Sequence, residues 1–160
     1  MTMSDTVSRT IKCRTEADTL KLAEALADRV PAGRLIALEG DLGAGKSTLA
    51  RAFIRARLHD PEAEVPSPTF TLVQTYGCDD GVEVWHADLY RLTDPEEAFE
   101  LGLDEARDEA ICLIEWPDRM PQDWWVGALT VRLTIGERGE RTVVLSGDAR
   151  WQPLVEGLEA

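Results

Sequence analysis

Apolar and polar positions along this chain repeat with two different periods, and the switches between them predict its elements. Residues 7–13 read as a short first strand. Leu22, Ala25, Leu26 and Val30 then recur at helical spacing. The helix start falls at Thr15-Glu16-Ala17-Asp18, where a hydroxyl can accept from a free N–H and acids suit the dipole. Pro31-Ala32-Gly33 stops the run. Residues 34–39 carry the continuous apolar run Leu35-Ile36-Ala37-Leu38 between Arg34 and Glu39, the pattern of a strand buried in a parallel sheet. A glycine-rich turn follows, then a second helix to about Leu58. Residues 59–68, rich in Pro, Asp and Glu, read as a loop. Residues 70–76 and 82–85 read as strands of a hairpin turning through 77–81. Asp94-Pro95-Glu96-Glu97 reads as a helix start with proline at the first helical position. Residues 110–114 form another buried-type strand, residues 129–135 and 141–145 alternate around a second turn, and the tail from Trp151 reads as a short helix. Together these predict an α/β fold: a mixed, mostly parallel central sheet flanked by helices, with antiparallel hairpins, in a single domain over residues 1–160.

Composition narrows the class. At 44% hydrophobic and 29% charged residues the chain is neither disordered nor a coiled coil. Its longest apolar stretches fall far short of the roughly 20 residues of a membrane span, and its first ten residues lack the apolar core of a signal peptide. Three scattered cysteines, Cys13, Cys78 and Cys112, suit reduced thiols in a cytoplasm better than a disulfide framework. The formal net charge of −13 repels nucleic acid over most of the surface, and no Lys/Arg run offsets it.

The glycine-rich turn carries the sharpest chemistry. Gly40-Asp41-Leu42-Gly43-Ala44-Gly45-Lys46-Ser47 fits G-x-x-x-x-G-K-[ST], a match that chance produces in roughly half a per cent of chains this long. Between a buried-type strand and a helix, this is a P-loop. Backbone N–H groups of Gly43, Ala44 and Gly45 converge on a polyphosphate, and the helix N-terminus adds a favourable dipole. Lys46 is a point charge for the β- and γ-phosphates, Ser47 offers a hydroxyl to Mg²⁺, and Thr48 reaches toward the α-phosphate. The nucleotide reads as ATP rather than GTP, because the guanine-specifying Asn/Thr-Lys-x-Asp is absent: the chain has no asparagine, and none of Lys12, Lys21 and Lys46 fits the pattern.

Mg²⁺ at such a site needs one or two carboxylates, supplied at the end of an apolar strand beside the loop strand. Two positions qualify: Glu115, after Ile111-Cys112-Leu113-Ile114, and Asp88, after Val84-Trp85-His86-Ala87. Glu115 reads equally as a metal ligand or as the base that orients the attacking water. His86 reads first as a packed histidine. The two histidines and scattered cysteines show no zinc-ligand spacing.

Four segments in order, residues 40–48, Ser67-Pro68-Thr69-Phe70-Thr71-Leu72-Val73, His86-Ala87-Asp88-Leu89-Tyr90-Arg91-Leu92 and Glu115-Trp116-Pro117, resemble the TsaE (YjeE) family of bacterial P-loop ATPases over about residues 10 to 145. Ser47 stands where the family more often has Thr, which keeps the hydroxyl. The resemblance implies an ATP hydrolase, weak alone, that supports formation of N6-threonylcarbamoyladenosine at position 37 of tRNA without being the transferase. It implies binding to the TsaB–TsaD pair, with tRNA met only indirectly, and no membrane. It further implies Mg²⁺ at Ser47 and Glu115, Asp88 at the metal and γ-phosphate, residues 67–71 as a nucleotide-sensing loop, and adenine contacts around Arg14 and Thr15 and at Arg141. Lys46, Asp88 and Glu115 are then the catalytic set. Two rival classes use the same loop: a small-molecule or nucleoside kinase, and a nucleotide-gated binding module with negligible turnover. Kinases generally carry an arginine-rich lid, whereas Arg51, Arg55 and Arg57 fall on the helix after the loop.

Overall fold

The computed structural model describes residues 6–41, 43–68 and 71–158. Leu42 of the glycine-rich loop, and Thr69 and Phe70 of the polar loop, lie outside the described residues. The chain runs β1 (Val7–Cys13), α1 (Glu16–Arg29), β2 (Arg34–Glu39), α2 (Lys46–Leu58), β3 (Val73–Gly77), β4 (Glu83–Asp88), α3 (Glu97–Glu100), α4 (Leu103–Glu109), β5 (Ile111–Glu115), β6 (Leu129–Ile135), β7 (Arg141–Gly147) and α5 (Gln152–Glu156). Short 3₁₀ turns follow β5 at Pro117–Arg119 and Gln122–Trp125, and one precedes α5.

All seven strands join one sheet in the order β1-β7-β6-β2-β5-β4-β3. Its centre is parallel, β2 pairing with both β5 and β6, and β5 with β4. Its margins are antiparallel: β4 with β3 on one side, β6 with β7 and β7 with β1 on the other. The apolar runs of β2 and β5 fall at the middle, where both faces are covered. One face packs Ile36, Leu38 and Leu113 against α1, α2 and α5, through residues such as Leu26, Phe53 and Val155. The other packs Ala37, Cys112 and Ile114 against α3, α4 and Trp124.

Local chemistry explains most boundaries. Thr15 caps α1: its hydroxyl accepts from Asp18 N, and the Asp18 carboxylate accepts from the Thr15 N–H in return. Three expectations need correction. The strand expected over 82–85 runs on to Asp88, because His86, Ala87 and Asp88 pair with Leu113, Ile114 and Glu115 of β5. The described part of its partner begins at Val73, with Leu72 in a left-handed conformation before it. The acidic segment after Asp94 forms two short helices, parted at Gly102 (φ 83°). Pro95 lies in the turn before α3, where Asp94 Oδ1 accepts from Glu96 N at 3.0 Å, and is not the first helical residue.

Candidate functional site

β2 ends at Glu39 and hands the chain to a loop that only glycine can shape at several points. Gly40 has φ 146°, and a Cβ there would lie 2.6 Å from the Leu133 carbonyl of β6. Gly45 (φ 106°) is the N-cap of α2, and a Cβ there would press on Arg141 at 3.3 Å. A glycine N-cap brings no side chain to the free N–H groups of the first turn, and that turn holds no carboxylate. The N-terminus of α2 is therefore left positive and free to bind an anion.

Lys46 opens α2 and is buried, yet among the described residues no carboxylate pairs with it. Its ammonium donates to the Gly40 carbonyl at 2.7 Å and lies 4.0 Å from the centroid of the Trp116 ring. A buried ammonium held by one carbonyl and a ring face is under-compensated, and an anion at the loop would complete it. Trp116 reaches that position because the chain turns sharply after Glu115 (Trp116 φ 58°), and its ring also packs on Tyr90 with centroids 4.8 Å apart.

The period of two along β4 and β5 places the remaining groups. His86 and Asp88 alternate onto one face of β4, and Leu113 and Glu115 onto the same face of β5, toward α2. Ser47, in the first turn of α2, donates to Glu115 Oε1 at 3.2 Å. The other oxygen, Glu115 Oε2, lies 2.6 Å from His86 Nε2. Asp88 sits opposite Glu115 in the strand register, buried like it, and its Oδ1 accepts from Tyr90 N at 3.0 Å. The Asp88 N–H donates to Leu72 O at 2.9 Å, joining this edge to the polar loop. Lys46, Ser47, Asp88 and Glu115 thus meet at the carboxyl ends of parallel strands, where open α/β sheets place their ligands.

Thr15, Gly45, Thr48, Gly139 and Arg141 line one cleft of about 270 Å³ beside the loop. Arg141 Nη1 donates to Gly139 O at 2.6 Å and Nη2 to Gly43 O at 3.5 Å, tying the β6–β7 turn to the glycine loop. Residues far apart in sequence are therefore neighbours here. Arg14 is not among the residues lining that cleft; its backbone N–H serves the α1 cap through Asp18. Ser67 and Thr71 are exposed, and Thr71 Oγ1 accepts from Gln74. Of the arginines after the loop, Arg55 donates to Ala63 O and Arg57 pairs with Asp80, both turned away from it.

An oxygen donor set of one hydroxyl and two buried carboxylates suits a hard cation such as Mg²⁺ that keeps waters and phosphate oxygens as its other ligands. Among the described residues no cluster of three or more His, Cys, Asp or Glu could hold a metal by itself. Two features escaped the sequence. The cleft residue Gly139 needs the pairing of β6 with β7, which no local pattern reveals. The His86 contact with Glu115 needs the order of β4 and β5, although the two-residue step from His86 to Asp88 already placed both on one face.

These features define an α/β protein whose polar chemistry gathers at a glycine-rich loop between a central parallel strand and its helix. The model of the family described as threonylcarbamoyl adenosine biosynthesis protein TsaE matches residues 13–143, and the chain belongs to that family. It is 34% identical over 145 residues to the tRNA threonylcarbamoyladenosine biosynthesis protein TsaE of Rickettsia felis, covering 91% of this chain and 84% of that one. It is 42% identical over 105 residues to the protein of the same name from Aquifex aeolicus, covering 65% and 73% of the two chains. Among solved structures, the crystal structure of Bacillus subtilis YdiB matches with a TM-score of 0.70 at 26% identity, covering 98% of this chain and 95% of that one.

Proposed function

We propose that this chain is a Mg-ATP-binding ATPase that supports threonylcarbamoyladenosine modification of tRNA by binding the TsaB–TsaD pair, and that it is not itself the transferase. The observation that carries this reading is the meeting of Lys46, Ser47 and Glu115 at one loop, with the Lys46 ammonium buried and lacking a carboxylate partner among the described residues. Backbone N–H groups from Gly43 to Thr48 cradle the phosphates, and Lys46 neutralises the β- and γ-phosphate oxygens. Ser47 and Glu115 would hold Mg²⁺, which would offset charge on the transferring phosphoryl group. Asp88 would lie at the metal and γ-phosphate, and either it or Glu115 would hold the attacking water. Thr15 and Arg141 flank the base in the adjoining cleft. The partner, and the indirect relation to tRNA, rest on the family resemblance. A chain of net charge −13 favours meeting tRNA through another protein. Cytoplasmic location fits three cysteines without disulfide partners, and among the described residues no helix is long and apolar enough to cross a membrane.

Calorimetry with Mg-ATP, followed by phosphate release with and without TsaB–TsaD, tests this reading. Binding by the wild type, its loss in Lys46→Ala, and hydrolysis stimulated by the pair are the expected results. Absence of nucleotide binding overturns it. Label transferred to a small-molecule product instead of free phosphate would make the chain a kinase; Arg55 and Arg57, engaged away from the loop, speak against a lid.

A further inference from the structure

His86 is 1% exposed and lies on β4, one strand in from the sheet edge, on the face that carries the site. Here Nε2 lies 2.6 Å from Glu115 Oε2, while Nδ1 is buried with no hydrogen-bond partner among the described residues. One hydrogen-bonding arrangement suits both facts. A proton on Nδ1 would be a buried donor with nothing to accept it, whereas an Nε2–H has the Glu115 carboxylate as its acceptor. The imidazole therefore offers its Nε2–H to the carboxylate.

The geometry of Glu115 supplies the consequence. Its two oxygens have separate partners: Oε2 takes His86, and Oε1 takes the Ser47 hydroxyl. A carboxylate at the end of three rotatable bonds holds one orientation only if its oxygens are pinned. Ser47 cannot pin it alone, since that hydroxyl rotates and is itself the group assigned to the metal. His86 can, because it lies in a strand paired on both sides: Leu113 of β5 faces it across one edge and Gln74 of β3 across the other.

We propose that His86 is the positioning residue for Glu115: by donating Nε2–H to Oε2 it turns Oε1 toward Ser47 and presets the carboxylate–hydroxyl pair. Its effect on catalysis rests on the function proposed above, in which that pair holds Mg²⁺. The positioning itself does not. The role resembles the outer hydrogen bonds that orient metal-binding carboxylates elsewhere, whose loss typically lowers metal affinity or activity about 10–100-fold.

The test uses the full chain and two variants. His86→Leu keeps an apolar side chain but removes the donor, whereas His86→Gln keeps an N–H. Long-range ¹H–¹⁵N spectra of the metal-free wild type, with the His86 signals identified by their absence in His86→Gln, are expected to show a fixed Nε2–H tautomer. An Nδ1–H tautomer, or an average like that of an exposed histidine, overturns the proposal. With TsaB–TsaD present, His86→Leu is expected to lower kcat and raise the Mg²⁺ midpoint by about 10–100-fold while KM for ATP changes little, and His86→Gln to recover most of the loss. Wild-type kcat and Mg²⁺ midpoint in His86→Leu overturn the proposal, as does an equal loss in both variants. Should His86→Leu fail to fold, the spectra and His86→Gln decide, an uncorrected loss in the latter counting against. A wild type that binds or hydrolyses no nucleotide refutes the proposed function instead, and the spectra still decide the placement of the His86 proton.

Discussion

Gly40 and Gly43 lie in the same loop and both take positive φ, yet substitution should cost very different amounts. A Cβ at Gly43 meets nothing within 4 Å, so Gly43→Ala pays only for backbone strain. A Cβ at Gly40 meets the Leu133 carbonyl at 2.6 Å, and that carbonyl belongs to β6, where it cannot easily yield. Gly43→Ala is expected to cost about 1 kcal/mol and Gly40→Ala about 3 kcal/mol, lowering Tm by about 2–4 °C and 6–12 °C respectively. Thermal melts of the two variants check the order; equal shifts would show that the β6 contact does not constrain the loop. Cys112 makes a second prediction, in pH. Burial pushes its thiol from near 9 up to about 12, because nothing at the centre of β5 solvates a thiolate. A thiol whose pKa is raised by folding stabilises the fold fully below its unfolded value and loses that contribution as pH climbs through the folded one. Between pH 9 and 12 the loss should reach on the order of 4 kcal/mol. Urea titrations at pH 8 and 11 are expected to show a smaller alkaline drop in Cys112→Ala than in the wild type. Tyr76, also raised by burial, contributes equally to both and cancels.

Helix α1 shows what a local pattern can specify. Its start is written in adjacent residues, Thr15 and Asp18, whose reciprocal hydrogen bonds close a capping box. Thr15→Ala is expected to cost about 1 kcal/mol and to lower Tm by about 2–4 °C, with Thr15→Ser restoring most of it. Because Thr15 also lines the cleft beside the loop, a nucleotide titration of Thr15→Ser separates its capping from any contact with a base. The elements readable from sequence are those whose cause is local in this sense: the cap of α1, the apolar runs of β2 and β5, and the glycine–lysine loop leading into α2. Those misread have a distant cause. His86-Ala87-Asp88 has weak strand propensity and is extended because β5 lies alongside it. The helix start read at Asp94-Pro95 falls in a turn, with α3 beginning at Glu97, and Gly102, left-handed with the Trp85 ring 3.4 Å from where its Cβ would be, parts α3 from α4. The same division runs through the site. Lys46 and Ser47 belong to one contiguous motif and were readable, and Glu115 and Asp88 announce themselves at strand ends. The bond from His86 to Glu115 and the approach of Gly139 and Arg141 to the loop exist only once the strands are ordered.

Strand order also decides the electrostatics of the chain taken together. Placing β2 beside β5, and β5 beside β4, brings the carboxyl ends of all three to one edge, and with them Glu39, Asp88 and Glu115. The chain carries 30 acidic against 17 basic residues, so this edge lies in a field that repels anions before any contact forms. Against that stand a single ammonium, Lys46, and the free N–H groups of α2, whose effect falls off within about a turn. ATP without a divalent cation would bring four further negative charges to two buried carboxylates. The proposed function therefore requires the nucleotide to bind as its magnesium complex. Removing Mg²⁺ with EDTA is expected to weaken ATP binding at least about tenfold, a difference of roughly 1.4 kcal/mol. Glu115→Gln should narrow that gap from both sides. It removes the charge that repels free ATP, raising affinity in EDTA, and it removes a ligand, lowering affinity in Mg²⁺. Calorimetric titrations of wild type and Glu115→Gln, each with Mg²⁺ and with EDTA, check both arms. A Glu115→Gln chain with the full wild-type gap would mean that Glu115 does not face the metal, leaving Asp88 as the carboxylate that does.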